Sequence, residues 1–118
     1  MKKEEEGNLN KEIMQYENLE KQLEVVLIQK HQLQLQSNEI KHALEELKNA
    51  KGTVYRSAGS ILIQSTKDEA EKDLKDRQEL IEVKLNALEK QESKLRESVT
   101  EAQKGLQERM KDYGKEGE

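Results

Sequence analysis

Apolar side chains recur every three or four residues along two long segments of this chain, and this spacing limits the possible folds more than any other feature. In the first segment, residues 8–50, a heptad frame places nine apolar side chains at its twelve core positions. Positions a and d of this frame are Leu9, Tyr16, Leu23, Lys30, Ser37, Leu44 and Glu12, Leu19, Val26, Leu33, Ile40, Leu47. Such a pattern predicts a long helix with a coiled-coil seam.

The second segment, residues 66–113, repeats the pattern more regularly. Thr66 followed three residues later by Glu69 fits a capping box at its start, with Ser65 as an alternative cap, and Gly114 follows its end. The predicted core positions are Leu74, Ile81, Leu88, Leu95, Ala102 and their companions Gln78, Leu85, Glu92, Val99, Leu106, Tyr113. The spacing therefore predicts a second long helix.

Composition agrees with a chain made mostly of helices. Charged residues make up 39% and hydrophobic residues 32%, with three Tyr but no Phe or Trp, which is too little apolar mass for a compact globule of 118 residues. Proline is absent, so nothing in the sequence forces a break in either helix. The apolar periodicity argues against a disordered chain.

Net charge and the lengths of the apolar runs argue against nucleic-acid-binding and membrane proteins. The formal charge of −4 is spread along the chain, so we expect no binding to nucleic acid. No apolar run approaches the roughly 20 residues needed to cross a bilayer, and MKKEEEGNLN has no apolar signal-peptide core. Cysteine is absent, which suits a reducing compartment. We expect a soluble cytoplasmic protein without membrane contact.

Between the two helical segments lies a short β-prone stretch, VYRSAGSILIQS, within which we expect a hairpin over residues 53–64. Lys51-Gly52 supplies the end of the first helix. Two runs, Val54-Tyr55-Arg56 and Ile61-Leu62-Ile63-Gln64, flank Ser57-Ala58-Gly59-Ser60. Gly59 is predicted to adopt a positive φ in the turn, because a side chain makes that conformation costly.

The hairpin reverses the chain, so two helices of similar length return side by side. We expect one domain over residues 1–118, an antiparallel two-helix coiled coil within the chain; the alternative is two independent helices, each in an intermolecular coiled coil. Lys30 and Glu92 interrupt the seam at comparable heights and are interpreted as a charge pair that sets the register. The alternative is that both side chains extend to water.

An isolated hairpin is only marginally stable, and this one has apolar side chains on both faces and two free edges. We therefore predict that it assembles with the hairpins of other subunits into a shared sheet or β-barrel. The alternative is a hairpin folded back over the ends of its own helices. The predicted assembly residues are Val54, Tyr55, Gly59, Ile61, Leu62 and Ile63.

The whole pattern resembles the β subunits of archaeal prefoldin. The likeness is carried by HALEELKNA (42–50), VYRSAGSILI (54–63), STKDEAEKDL (65–74) and LNALEKQESKL (85–95). It covers residues 9–113, and the hairpin string is its most specific part, whereas heptads alone mark no family. The charged MKKEEEG and KEGE at the two ends depart from it, and the pattern leaves open the eukaryotic subunit most like the β type.

The resemblance implies a mechanism without cofactors. Prefoldin is a hexamer of two α-type and four β-type subunits, in which hairpins form a double β-barrel platform and coiled coils extend from it. It holds unfolded client proteins between the tips and passes them to a group II chaperonin without ATP. The implied partners are an α-type subunit, further copies of this chain, unfolded clients and the chaperonin. A single hairpin favours the β type.

Client binding is predicted at the end of the coiled coil opposite the hairpin, where the two chain termini meet. Ile13, Met14 and Met110 lie off the predicted seams, and Gly105 weakens the last turns of the second helix. The alternative is that these side chains simply close the coiled coil. The predicted client-binding residues are Leu9, Ile13, Met14, Tyr16, Leu106, Met110 and Tyr113.

No enzyme chemistry is predicted. The sequence has no phosphate-binding GxxxxGK[ST] loop. His31 and His42 are eleven residues apart, about 16 Å along a helix, which is too far to share a metal ion. Two classes of function remain: a chaperone subunit that holds clients, and a coiled-coil spacer or adaptor that uses the hairpin only to oligomerise.

Overall fold

A computed structural model of the chain describes residues 3–116, with side chains described for residues 3–112. It contains a helix α1 (Lys3–Asn49), strands β1 (Val54–Ala58) and β2 (Ile61–Ser65), and a helix α2 (Lys67–Glu116). The strands form one antiparallel two-stranded sheet. The predicted arrangement of two long helices joined by a single hairpin is confirmed.

The chain forms two compact units. The hairpin unit comprises Lys30–Ala87, with the hairpin and the adjoining parts of both helices. The terminal unit is built from the part of α1 up to Gln29 and the part of α2 from Leu88 onwards. Both helices therefore contribute to both units.

The predicted seams are confirmed by burial. All twelve core positions of α1, and the ten core positions of α2 whose side chains are described, are at least partly buried. The side chain of Tyr113 lies outside the described residues. Val26 in the terminal unit is only 3% exposed, and Ile81 in the hairpin unit only 7%. The heptad spacing thus places the apolar side chains against the opposite helix within each unit.

Both helices are longer than the sequence indicates. α1 begins at Lys3 rather than near residue 8, and its first turn carries Glu4, Glu5 and Glu6. Negative side chains there are stabilised by the partial positive charge of a helix N-terminus, which offsets the low helix propensity of Gly7. α2 continues through Gly114 to Glu116 instead of stopping at the glycine.

The predicted capping box at the start of α2 is confirmed. The backbone N–H of Glu69 donates to Thr66 Oγ1 at 3.1 Å, and the backbone N–H of Thr66 donates to Glu69 Oε2 at 3.5 Å. Ser65 Oγ also donates to Glu69 Oε2, at 3.4 Å. The two bonds from backbone N–H groups satisfy donors that the start of a helix leaves unpaired, so α2 begins only one residue after β2.

Two hydrogen bonds fix the antiparallel register inside the hairpin unit. Gln78 Nε2 donates to Ser37 Oγ at 2.8 Å, and Lys67 Nζ donates to the carbonyl of Lys48 at 2.9 Å. Ser37 is buried, and Gln78 Oε1 is buried without a hydrogen-bond partner. The seam therefore contains a polar layer that accounts for its alignment at some cost in stability.

The sequence predicts a charge pair between Lys30 and Glu92 in the seam. Glu92 accepts a hydrogen bond from Arg96 Nε of its own helix at 2.8 Å, and its side chain is only 16% exposed. An ion pair one turn apart on a helix is a common arrangement for such residues. The pairing of Glu92 with Lys30 stays a prediction.

Candidate functional site

The hairpin is closed by a two-residue turn, Gly59-Ser60, between paired Ala58 and Ile61. Gly59 has a φ of 64°, as predicted, and Ser60 has no positive φ. A positive φ at the first central residue alone is the pattern of a type II′ turn, whose twist matches that of the flanking strands. A Cβ at Gly59 would meet nothing within 4 Å, so backbone conformation alone favours glycine there.

Both faces of the hairpin carry apolar side chains. The register pairs Ile61 with Ala58, Ile63 with Arg56, and Leu62 with Ser57. Because side chains alternate along a strand, Ile61 and Ile63 share one face and Leu62 lies on the other. The sheet is thus apolar on two sides with only two strands.

These side chains remain exposed in the single chain. Leu62 is 70% exposed and Ile61 is 64% exposed, while Tyr55 and Ile63 are also exposed; Val54 is partly buried. Each strand has one edge paired with its neighbour and one edge free, which offers backbone groups for another strand. The hairpin is therefore not covered by its own helices, contrary to the alternative of a hairpin folded back on them.

A pocket of about 430 Å³ lies beside β1 in the hairpin unit. Apolar residues such as Leu47, Val54 and Leu74 line it, and its charged lining residues are balanced in sign. Those charged residues are Glu46, Asp73, Arg56 and Arg77. We call this space the hairpin pocket.

In the terminal unit, α1 and α2 meet near their outer ends. Arg109 Nη2 lies 2.9 Å from Glu12 Oε1, which joins the two helices by an ion pair. Met14 is 68% exposed, Met110 64% and Ile13 37%, whereas the seam residues around them are partly buried. Three apolar side chains thus face solvent beside a closed seam.

The remaining predicted client-binding residues are less accessible. Leu9, Tyr16 and Leu106 are partly buried at seam positions, and Tyr113 lies outside the described side chains. The role of all seven residues stays a prediction. Their placement separates three solvent-exposed side chains from three that belong to the helix–helix contact.

Two grooves run along the terminal unit. The end groove, about 560 Å³, is lined by Leu19, Ala102 and Gly105 together with charged side chains, and a Cβ at Gly105 would meet nothing within 4 Å. Its charged lining residues are Glu12, Glu101, Glu108, Asp112 and Arg109. The flank groove, about 470 Å³, is lined by Glu17, Glu20, Lys21, Leu23, Glu24, Leu27 and Val99.

Tyr16 and Glu20 connect the seam to the flank groove. The Tyr16 side chain is hydrogen-bonded to Glu20, and this bond is the main reason that the pKa of Tyr16 is raised. Loss of the phenol proton would place a second negative charge beside the carboxylate. The hydrogen bond places Glu20 beside Tyr16 at the edge of the flank groove.

Other exposed apolar side chains were not singled out by the sequence analysis. They include Val25 and Ile28 in the terminal unit, and Leu35, Leu80 and Val83 in the hairpin unit, each at least 50% exposed. All five fall outside positions a and d, so a search for apolar residues off the seam would have found them, as it found Met14.

Among the described residues, no group of three or more His, Asp or Glu side chains is arranged to hold a metal ion. None of the described helices is long and apolar enough to cross a membrane. The features with potential for binding are the hairpin and the surface of the terminal unit.

Comparison with known proteins places these features in a family. A family model described as "Prefoldin subunit" matches residues 10–113. The prefoldin subunit beta of Thermococcus kodakarensis is 42% identical over 89 residues, covering 74% of this chain and 76% of that protein. The prefoldin subunit beta of Saccharolobus islandicus is 34% identical over 108 residues, covering 90% and 86%.

Solved structures agree. The crystal structure of the prefoldin beta subunit from Thermococcus strain KS-1 superposes with a TM-score of 0.79 at 37% identity, covering 86% of this chain and 90% of that one. The beta2 subunit from the same strain gives a TM-score of 0.71 at 21% identity, which shows a similar fold.

Proposed function

This chain belongs to the prefoldin family of chaperones as a β-type subunit, and on that premise we propose that it acts in a hexamer that holds unfolded proteins without ATP. The hexamer would contain an α-type subunit and further copies of this chain. Clients would be held at the ends of the coiled coils and delivered to a group II chaperonin in the cytoplasm.

The observation that carries this proposal is the uncovered hairpin. Ile61 and Leu62 are mostly exposed on opposite faces of a two-stranded sheet with free edges. Burial of such side chains contributes about 1.5–3 kcal/mol each, which is available only when other chains cover both faces. This supports assembly through the hairpin into a barrel, as the family resemblance implies.

Exposed side chains in the terminal unit support the client-holding part. Met14 and Met110 are flexible and polarisable, so they adapt to apolar partners of irregular shape. The other exposed apolar side chains of the helices are branched Ile, Val and Leu, which lack this flexibility. Surrounding Lys and Glu residues would keep this surface soluble between encounters.

The central test is suppression of aggregation. A chemically denatured enzyme is diluted into buffer with the complex assembled from this chain and its α-type partner, without nucleotide, and light scattering is followed. We expect protection at stoichiometric amounts and no change on adding ATP. Transfer is measured with a fluorescent client and a group II chaperonin. Aggregation that continues at excess complex would favour the spacer function.

The place of client binding is tested by substitution in the full-length chain. Changing Ile13, Met14 and Met110 to Ser should leave the hexamer intact and weaken protection severalfold. The matched control changes Leu35, Leu80 and Val83 to Ser, which are equally exposed side chains in the hairpin unit. Equal losses from the two triple variants would contradict binding at the tips.

A further inference from the structure

The flank groove combines an apolar floor with an acidic rim. Leu23, Leu27 and Val99 line it from the two helices of the terminal unit, and Leu27 is 36% exposed. An apolar side chain that entered this groove would bury surface against all three. The volume of about 470 Å³ is enough for one or two large side chains of a bound segment.

The rim is formed by three glutamates of α1. Glu17, Glu20 and Glu24 are three and four residues apart, so they lie along one face of the helix. Lys21 is the one basic side chain lining this groove. The groove therefore has an excess of negative charge immediately beside its apolar floor.

The excess of negative charge extends over the whole terminal unit. Residues 30–87 contain ten acidic and ten basic side chains, so the entire formal charge of −4 belongs to the terminal unit. Residues 1–29 contribute −3 of it, with seven acidic and four basic side chains, and residues 88–118 contribute −1. The end groove repeats the pattern with four carboxylates and one arginine, whereas the hairpin pocket is balanced.

Charge of this kind distinguishes between partners. Carboxylates beside an apolar groove attract lysine and arginine side chains and repel acidic ones, so they affect which segments bind more than how much apolar area is buried. The terminal unit of a second copy is a poor occupant, because it carries the same negative charge. A neutral or basic segment of another protein has no such penalty.

We propose that the flank groove is a docking site for cationic, apolar segments of unfolded proteins, with an apolar side chain on Leu23, Leu27 and Val99 and flanking lysines or arginines on the glutamate rim. The inference rests on the proposed chaperone function and adds a class of client segment. Acidic segments are expected to bind this groove poorly.

The test uses three fluorescein-labelled peptides of twelve residues that share four leucines and glycine spacers. They differ in four further residues, which are all Lys, all Gln or all Glu. Binding to the full-length chain assembled with its α-type partner is measured by fluorescence anisotropy. We expect the order Lys, Gln, Glu from tightest to weakest, with the differences shrinking as salt is raised, since charges on an open surface are screened.

The decisive variant changes Glu17, Glu20 and Glu24 to Gln. It should weaken binding of the Lys peptide about tenfold at low salt, leave the Gln peptide unchanged and strengthen the Glu peptide. The matched control changes Glu39, Glu79 and Glu82 to Gln, which alters the net charge equally at exposed sites of the hairpin unit. It should leave all three affinities unchanged.

A second variant, Leu27→Ser, tests the floor and should weaken all three peptides while circular dichroism shows unchanged helix content. Equal effects of the two glutamate triple variants, or no preference among peptides, would overturn the inference. So would a change in oligomeric state caused by Leu27→Ser, because the groove would then be an interface between copies. Aggregation suppression by the unaltered complex is measured alongside, and its absence would refute the proposed function itself.

Discussion

The hairpin unit and the terminal unit are built from the same two helices, yet they differ in charge and in the kind of apolar surface they expose. The hairpin unit is electrically balanced, and most of its exposed apolar side chains, such as Ile61 and Leu62, stand on short strands whose positions are fixed by backbone pairing. Leu35, Leu80 and Val83 are the exceptions, because they stand on the helices. The terminal unit carries the whole net charge and exposes methionines on helix faces. The surface of the hairpin has a fixed shape, whereas the exposed surface of the terminal unit is adaptable.

Two such surfaces would let one coiled coil serve two kinds of partner. A permanent partner of constant structure can be bound by strands in fixed positions that bury apolar side chains. Net charge contributes little to such an interface. Changing partners are better met by flexible side chains and by charge, which selects among them and prevents self-association. Substitutions confined to one unit test this division of roles.

The largest effect is expected from charge on the hairpin. Changing Ile61 and Ile63 to Asp would place two carboxylates on one face of β2, at a cost of several kcal/mol if that face is covered by other subunits. We expect loss of the hexamer with helix content largely retained, measured by light scattering and circular dichroism. Two Asp at Leu80 and Val83, exposed outside the hairpin, provide the control. A hexamer that survives the replacement of Ile61 and Ile63 by Asp would argue against the barrel.

The next effect concerns the polar layer in the seam of the hairpin unit. Ser37→Ala removes the partner of Gln78 Nε2 and leaves a partly buried amide unsatisfied, which costs about 1–3 kcal/mol. Combining it with Gln78→Leu should restore or exceed the original stability, because the unpartnered Oε1 is removed as well. The midpoint of urea unfolding, followed by circular dichroism, measures both. A double variant less stable than Ser37→Ala alone would contradict this account.

A smaller effect is expected at the turn. Gly59 has a φ of 64°, a conformation that costs other residues roughly 1–2 kcal/mol, and Val is β-branched in addition. Gly59→Val should therefore reduce the assembled fraction at low protein concentration. Ala58→Val is the control, since a β-branched side chain suits a strand. Equal effects of the two substitutions would show that the turn conformation does not limit assembly.

The smallest effect is expected from the ion pair of the terminal unit. Arg109→Gln removes the contact with Glu12. The side chain of Arg109 is 46% exposed and that of Glu12 is 35% exposed, so the loss should lower the free energy of unfolding by only about 0.2–1 kcal/mol. The difference should vanish in high salt. Assembly should be unchanged, because this pair lies outside the hairpin unit. An effect as large as that of Ser37→Ala would show that this ion pair is worth more than an exposed pair normally is.

Much of the fold could be predicted because it depends on local spacing. The heptad positions, the capping box of Thr66 and Glu69 and the positive φ of Gly59 each follow from residues a few positions apart. The start of α1 at Lys3 was missed, because acidic side chains in the first turn outweighed an unfavourable glycine. The bond between Ser37 and Gln78 needed the exact register of two helices, which spacing within each helix does not specify.

The candidate site was less accessible to sequence reasoning. Exposure of Met14 and Met110 follows from their positions off the seam, but the flank groove joins α1 residues to Val99 of α2 and depends on how the helices pack. The whole net charge belongs to the terminal unit, whose residues come from both ends of the sequence, while the hairpin unit is neutral. This asymmetry depends on which parts of the two helices pair, and heptad spacing within each helix does not specify that.

The two connections of the hairpin differ in length, and this has a mechanical consequence. Only Thr66 separates β2 from α2, and its capping box ties it to Glu69, whereas residues 50–53 with Gly52 at a φ of 98° separate α1 from β1. α2 is therefore joined to the sheet more directly than α1, which is connected through four residues and through the hydrogen bond from Lys67 Nζ to the carbonyl of Lys48. Rotation of the sheet should thus move the start of α2 more than the end of α1.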